Sequence, residues 1–152
     1  MKAEIIAIGS ELLLGQIVDT NSSYIARCLA NNGIELVQTN TVGDDLPQIV
    51  GTIKEAVNRS SVVITTGGIG PTEDDLTREA VAEVFQRPLI FRPHLMEQIE
   101  ALFKTCGFRM AENNRKQAYV PEGAIPVENP KGTAPGLIVE HSKGCRLSIP
   151  AD

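Results

Sequence analysis

The sequence predicts an α/β fold built around a mostly parallel sheet. Short apolar runs alternate with segments whose apolar residues recur at helical spacing, and glycine, proline, asparagine or aspartate separates the two kinds of segment. The length of 152 residues and the hydrophobic content of 42% suit a single domain with a sizeable core. We therefore expect one domain that covers residues 1–152.

The first half of the chain predicts three strands and two helices in alternation. The predicted strands are residues 3–8, 34–42 and 61–65. Helix-start residues at 19–22 open the first helix, which Gly33 ends, and the acids Asp44 and Asp45 open the second. This order is typical of a doubly wound sheet, in which the first and third strands are neighbours.

The third predicted strand runs into the sequence TTGGIGPTEDDLT, residues 65–77. Gly67, Gly68 and Gly70 allow tight turns and close approach of the backbone to a ligand. We expect the helix that follows to present free N–H groups to an anion. Asp74 and Asp75 would repel an anion alone, so a divalent cation is predicted between these acids and the ligand.

The second half of the chain is less regular. One helix is predicted from Leu76 to Arg87, and another from Pro93 to Gly107. Prolines and glycines then divide the chain into short pieces. Residues 124–127, 137–140 and 145–149 are predicted to pair as strands at the sheet margin.

The predicted topology brings several acids to one crevice at the carboxyl ends of the strands. The segment 9–19 after the first strand faces the glycine loop there, and the acids after the second strand reach the same rim. The candidate acidic cluster consists of Glu11, Asp19, Asp44, Asp74 and Asp75.

Composition and motifs exclude several classes of function. A formal net charge of −5 without a basic patch argues against nucleic acid as a partner. The apolar run near the N-terminus is too short for a signal peptide or a membrane span, so we expect no membrane partner and a cytoplasmic location. Cys28, Cys106 and Cys145 are interpreted as reduced thiols. No P-loop lysine or nucleophile elbow occurs, and Glu73 replaces the third glycine of a dinucleotide motif.

Five ordered blocks resemble a known family. The glycine loop resembles the signature of the MoaB/MogA-like molybdopterin-binding fold. Together with IGSELLLGQIVDTNS (8–22), NTVGDD (40–45), NRKQA (114–118) and NPKGTAPG (129–136), it resembles the CinA branch, the competence/damage-inducible proteins. The resemblance implies a three-layer α/β/α fold with a mostly parallel sheet, and a homo-oligomer, either a dimer or a trimer. It also implies an ADP-ribose pyrophosphatase that uses a divalent cation, Mg²⁺ or Co²⁺, and releases AMP and ribose 5-phosphate.

The resemblance also implies roles for individual residues. Asp19, Asp44 and Asp75 would hold the metal or orient the attacking water, as catalytic residues. The implied substrate-binding residues are Ser10, Glu11, Gly67, Gly68, Gly70, Thr72, Arg115, Lys116, Lys131 and Thr133. Two other functions stay open: a molybdopterin-binding enzyme of molybdenum cofactor biosynthesis, and a non-catalytic nucleotide-binding module. The small-molecule partner is accordingly a nucleotide or a pterin.

Each of these residues also has a purely structural interpretation. Asp19, and either Asp44 or Asp45, can cap the helices that follow them, and Thr72 with Asp75 can form a capping box at the start of the helix after the glycine loop. Glu11, Arg115 and Lys116 can be solvated surface residues. The segment 12–14, three leucines, is interpreted as core or as an oligomer contact.

The chain departs from the family pattern after the last predicted strand. CinA proteins continue there with a Pro-Gly-Val-Pro-type segment, whereas here Pro150 is followed by Ala151 and Asp152. We expect the loss of that segment to leave the pocket incomplete. The resemblance places nicotinamide mononucleotide deamidation in a separate domain, so we predict no such activity for this chain.

Overall fold

A computed structural model describes residues 1–142 and 144–149, with the backbone alone for 145–149. The strands are β1 (Lys2–Ile8), β2 (Glu35–Val42), β3 (Val62–Thr66), β4 (Leu89–Phe91), β5 (Tyr119–Pro121), β6 (Ile125–Val127), β7 (Gly136–His141) and β8 (Gly144–Ile149). The helices are α1 (Ser10–Leu13), α2 (Thr20–Asn31), α3 (Leu46–Arg59), α4 (Thr77–Phe85) and α5 (Pro93–Cys106), and a 3-10 helix spans Glu112–Ala118.

Six of the strands form one sheet in the order β2-β1-β3-β8-β7-β6. β1 pairs in parallel with β2 and β3, which confirms the predicted neighbours, and β3 pairs in parallel with β8. β7 runs antiparallel to both β6 and β8. The prediction that residues 145–149 pair at the sheet margin is wrong. The β7–β8 hairpin places β8 next to β3, so β8 lies between β3 and β7 inside the sheet.

Helices cover both faces of this sheet and form three layers. Successive side chains of a strand point to opposite faces, and β1 shows this directly. Ile5 packs in one cluster with Ile25 and Leu29 of α2, whereas Ile6 packs in another with Ile53 of α3 and with α4. The predicted α/β/α fold is confirmed. The antiparallel pair β4–β5 and the 3-10 helix are elements that the sequence pattern did not predict.

The starts of the helices agree with the predicted caps in two cases and differ in a third. The Asp19 side chain accepts a hydrogen bond from Ser22 N at the start of α2, and Asp45 does the same for α3 from Gln48 N. The helix after the glycine loop begins only at Thr77 and has no side-chain cap. Asp74 and Asp75 therefore lie in the loop before the helix, and the acid in the first turn of α4 is Glu79.

Some sequence predictions concern residues or side chains that the structure does not describe. Pro150, Ala151 and Asp152, on which the expected incomplete pocket depends, lie outside them, as does the side chain of Cys145. Cys28 and Cys106 are free thiols. Within the described ranges, no helix has the length and apolar character that crossing a membrane requires.

A buried ion pair joins β1 to the end of α3. The fully buried Glu4 carboxylate accepts two hydrogen bonds of 2.8 Å from the Arg59 guanidinium and one of 2.6 Å from Ser60 Oγ. Burial raises the pKa of Glu4, but the hydrogen bonds from Arg59 and Ser60 and the Arg59 charge outweigh burial, so the pKa lies below its usual value of 4.5. Because the folded pKa is depressed, this stabilisation is complete above about pH 4.5 and is lost as the pH falls through the folded pKa.

Replacing Arg59 with methionine is expected to lower the free energy of unfolding at pH 7 by about 2–3 kcal/mol. The loss stays below that of a fully enclosed pair because the Arg59 side chain is 42% exposed. Without Arg59, burial dominates and raises the Glu4 pKa, so the variant should lose less stability than the wild type between pH 5 and pH 3. Urea unfolding across this range measures both effects. Lys54→Met, an exposed change on the same helix, should cost less than about 0.5 kcal/mol, and equal losses in the two variants would contradict the assignment.

Candidate functional site

The carboxyl ends of β1, β2 and β3 open on one crevice, as the predicted topology requires. Gly9 N donates a hydrogen bond of 2.9 Å to Val42 O, which holds the segment after β1 against the end of β2. The segment 9–19, predicted as a loop, contains the single helical turn α1 and half-buried Ser10. The loop after β2 and the glycine loop after β3 (residues 67–76) complete the rim.

Asp44 and Ser10 bind each other across this rim. Asp44 Oδ2 accepts a hydrogen bond of 3.0 Å from Ser10 N, and Asp44 N donates one of 3.1 Å to Ser10 Oγ. Asp44 is therefore not the cap of α3, a role that Asp45 fills. Two residues predicted for the site from separate sequence blocks are thus in direct contact.

Asp19 lies at the start of α2 and holds the first turn of that helix. Its Oδ1 accepts a hydrogen bond of 2.9 Å from Ser22 N. Asn21, two residues later, donates a hydrogen bond of 3.1 Å from Nδ2 to Thr66 Oγ1 and so connects this turn to the end of β3. Sequence reasoning missed Asn21, although it stands inside the matching block 8–22.

The glycine loop requires glycine at its first two positions. Gly67 and Gly68 have φ values of 90° and 65°, a region that residues with a Cβ rarely adopt. A Cβ on Gly67 would lie 2.1 Å from Ile8 O, and one on Gly68 would lie 2.5 Å from Thr77 Oγ1. The loop is thus pressed against the end of β1 on one side and the start of α4 on the other.

Four consecutive carbonyls of the loop accept hydrogen bonds from the first two residues of α4. Thr77 donates from Oγ1 to Gly67 O at 2.7 Å and from N to Gly68 O at 2.9 Å. The Arg78 guanidinium, in a residue only 2% exposed, donates to the carbonyls of the next two loop residues, 69 and 70. Burial lowers the pKa of Arg78, and the charges of nearby Glu79 and Asp75 partly offset that effect.

Asp75 closes a turn within the loop. Its Oδ2 accepts hydrogen bonds of 2.8 Å from Thr72 N and 2.6 Å from Thr72 Oγ1. A Cβ on Gly70 would lie 2.6 Å from the same oxygen, so the carboxylate rests against the glycine backbone. The predicted contact between these Thr and Asp residues exists, but it closes a turn before the helix instead of capping the helix itself.

The two basic residues of the NRKQA block contact other parts of the protein. Lys116 Nζ donates to Thr72 O at 2.9 Å and to Asp75 O at 2.5 Å, and it lies 3.3 Å from Glu79 Oε1. Its three N–H bonds have protein acceptors, so its interpretation as a solvated residue is wrong. The Arg115 guanidinium lies 4.4 Å from the centre of the Phe91 ring, a cation–π contact. A phosphate contact of either residue stays a prediction.

The NPKGTAPG block forms a turn that its own asparagine organises. Asn129 Oδ1 accepts hydrogen bonds from Lys131 N and Gly132 N, and its Nδ2 donates to Ala134 O. A cleft of about 600 Å³ lies between this turn and α5, and half-buried Thr133 is among its lining residues. Lys131 is exposed beside it.

The three aspartates proposed as metal ligands do not form a preassembled cation site. In the part of the chain that the structure describes, no three His, Cys, Asp or Glu side chains are grouped to hold a metal ion. Each carboxylate uses only one oxygen in the hydrogen bonds described above. One or two such carboxylates suit a hard cation such as Mg²⁺, which completes its shell with water and ligand phosphates. The Glu11 carboxylate folds back against Gly9 at the same rim.

Apolar side chains are exposed next to the site. Leu13 and Leu14 are 55% and 71% exposed, so the interpretation of these two residues as core is wrong for this chain. Ile17 and Val18 continue the exposed apolar segment. The alternative interpretation, an oligomer contact, stays a prediction.

Comparison with known sequences identifies close relatives over the whole described chain. A family model described as "Probable molybdopterin binding domain" matches residues 4–150. A "Putative competence-damage inducible protein" of Halothermothrix orenii is 51% identical over 150 residues, which are 99% of this chain and 36% of that protein. A "CinA-like protein" of Kosmotoga olearia is 47% identical over the same shares of both chains. The chain thus spans 36% of the length of these curated relatives.

Comparison with solved structures agrees with the sequence relatives. The crystal structure of a protein CinA of unknown function from Thermoplasma acidophilum matches with a TM-score of 0.89 and 33% identity, over 98% of this chain and 87% of that one. The molybdopterin biosynthesis enzyme MoaB of Thermus thermophilus matches with a TM-score of 0.64 and 18% identity, over 99% and 81% of the two chains. At that identity, the second likeness shows the fold alone.

Proposed function

Since this chain belongs to the molybdopterin-binding domain family, within the branch of the CinA proteins, we propose that it binds a phosphate-bearing pterin or nucleotide in the crevice beside the glycine loop. One observation carries this proposal. The carbonyls of Gly67 to Gly70 are all turned toward the start of α4. None of the described hydrogen bonds uses the N–H groups of Gly68, Ile69 or Gly70. Grouped N–H donors in a glycine-rich loop bind anions.

Thermal unfolding with and without ligand tests this binding function. The probes are ADP-ribose and a phosphorylated pterin, each added to the purified chain. A ligand present at about 100 times its Kd should stabilise the chain by about 2.7 kcal/mol, a rise in Tm of several degrees. If neither probe raises Tm, the proposed function fails, and a response to the pterin alone would favour a role in molybdopterin chemistry.

A matched pair of glycine variants locates the binding site. Gly70→Ala places a Cβ 2.6 Å from Asp75 Oδ2, at the end of a side chain, so the chain should still fold. It should bind its ligand at least about tenfold more weakly, which is the equivalent of one charge-assisted hydrogen bond. Gly51→Ala, within α3 and with open space around it, should bind like the wild type and gain about 0.5–1 kcal/mol of stability. Equal affinity in the two variants would place the ligand elsewhere.

We also propose a second candidate function, hydrolysis of ADP-ribose to AMP and ribose 5-phosphate. The observation that favours it is the higher identity to CinA proteins, 33% to 51%, than to MoaB, 18%. A water molecule would attack one phosphorus while the bond from that phosphorus to the bridging oxygen breaks. The second carboxylate oxygen of Asp75 or Asp44 would orient this water and take its proton, which then passes to solvent. A divalent cation would neutralise the diphosphate charge, with one or two of Asp19, Asp44 and Asp75 as its protein ligands.

The release of AMP from ADP-ribose, with Mg²⁺ or Co²⁺ present, measures this activity. If ADP-ribose raises Tm but no AMP forms, the chain is a nucleotide-binding module and not a hydrolase. Self-association through the exposed apolar segment at Leu13, Leu14, Ile17 and Val18 is proposed as well, and sedimentation velocity can detect it.

A further inference from the structure

Residues of α4 and of the 3-10 helix bind carbonyls of the glycine loop. Thr77 donates to the carbonyls of residues 67 and 68, and Arg78 donates to those of Ile69 and Gly70. Lys116 of the 3-10 helix donates to the carbonyls of Thr72 and Asp75, in the last part of the loop. Arg78 is 2% exposed, whereas the Lys116 side chain is 25% exposed.

The direction of the carbonyls determines the direction of the amide groups. In a planar trans peptide, the C=O of one residue and the N–H of the next point in opposite directions. When Thr77 and Arg78 draw the carbonyls of residues 67–69 toward α4, the N–H groups of Gly68, Ile69 and Gly70 must point away from α4. Those N–H groups take part in none of the described hydrogen bonds.

The charge of Arg78 also favours an anion near the loop. Among the described residues, no carboxylate lies within ion-pair distance of Arg78, although the charges of nearby Glu79 and Asp75 act on it, and Glu79 pairs with Lys116. A buried positive charge without a directly paired carboxylate is costly for the fold. An anion bound on the N–H side of the loop would offset part of that cost.

We infer that Thr77 and Arg78 are positioning residues that turn the amides of Gly68, Ile69 and Gly70 toward the anionic part of the ligand and so select phosphorylated over unphosphorylated ligands. This inference rests on the proposed binding function. Neither side chain touches the ligand in this account, and their effect passes through the carbonyls of residues 67–69. Lys116 binds other carbonyls, those of Thr72 and Asp75, and so holds a different part of the loop.

Backbone amide NMR of the full chain, titrated with inorganic pyrophosphate, tests the inference. In the wild type, the amide signals of Gly68, Ile69 and Gly70 should shift on addition of pyrophosphate. In Arg78→Met, the Kd for pyrophosphate should rise at least about tenfold, the loss expected for a charged hydrogen bond, and these shifts should shrink. Thr77→Val keeps the shape of the side chain but loses the hydrogen bond from Oγ1 to Gly67 O, so it should also weaken pyrophosphate binding. Lys54→Met, an exposed change on α3, should bind pyrophosphate like the wild type.

The ratio of the affinities for ADP-ribose and for adenosine separates a positioning role from general destabilisation of the chain. ADP-ribose should lose affinity in Arg78→Met and Thr77→Val, whereas adenosine, which has no phosphate, should bind as it does to the wild type. If Arg78→Met fails to fold, Thr77→Val carries the test. Equal losses for both probes, or unchanged pyrophosphate binding in Thr77→Val, would overturn the inference alone. A wild-type chain that binds neither pyrophosphate nor ADP-ribose would overturn the binding function and this inference together.

Discussion

Replacing Gly67 with alanine is expected to lower the free energy of unfolding by more than about 4 kcal/mol, the upper range for a single substitution. Two costs add at this position. The φ of 90° is unfavourable for any residue with a Cβ, and the new methyl group would lie 2.1 Å from the Ile8 carbonyl oxygen. That oxygen belongs to the end of a central strand and cannot move without disturbing the sheet. Urea unfolding, or a fall in Tm of about 10 °C or more, measures the effect.

Gly33 provides the matched control for this change. It has a φ of 68°, but nothing lies within 4 Å of a Cβ built there. Gly33→Ala therefore isolates the conformational cost, and it should lose only about 1 kcal/mol. If the two alanine variants were equally stable, close contact with Ile8 would not be the reason for glycine at position 67.

Replacing Asp75 with asparagine is expected to reduce the kcat for ADP-ribose hydrolysis at least about 100-fold, the usual scale for loss of a general base. The amide oxygen of asparagine can still accept the hydrogen bonds from Thr72 N and Oγ1, so the turn should persist. What the change removes is the negative charge and the proton acceptor. AMP release at saturating ADP-ribose, measured together with Tm, separates the chemical loss from any structural one.

The exposed neighbour Glu73 supplies the control for Asp75. Glu73→Gln removes one charge from the same turn and should leave kcat within about twofold of the wild type, as expected for a change away from the reacting atoms. Full activity in Asp75→Asn would remove Asp75 from the mechanism. A fall in Tm that matches the fall in activity would make Asp75 a structural residue.

Local patterns in the sequence were sufficient for the order of the main strands and helices, though not for α1, β4, β5 or the 3-10 helix, and for contacts that span few residues. Asp19 and Asp45 cap the helices that follow them, and Thr72 contacts Asp75 three residues later. Each of these contacts depends only on neighbours along the chain. The parallel pairing of the first and third strands followed from topology rules that hold for nearly all such folds.

Contacts between distant segments were not accessible in the same way. Nothing near Lys116 in the chain indicates that its ammonium reaches the carbonyls of Thr72 and Asp75. Arg78 did leave a signal, because it lies three and seven residues before Val81 and Phe85 on the apolar face of α4. A basic residue on a buried helical face needs internal acceptors, and here they are the loop carbonyls.

The insertion of β8 between β3 and β7 has a consequence for how the chain folds. The early strands form a parallel unit, β2-β1-β3, and the late strands form an antiparallel meander, β6-β7-β8. Among the described strands, the β3–β8 ladder alone joins these two units within the sheet, and it pairs residues far apart in sequence, such as Thr66 and Ile149. Contacts of such long range form slowly, so we expect this seam to close last during folding. Because the glycine loop begins where β3 ends, the ligand crevice takes its final shape only when the seam has closed.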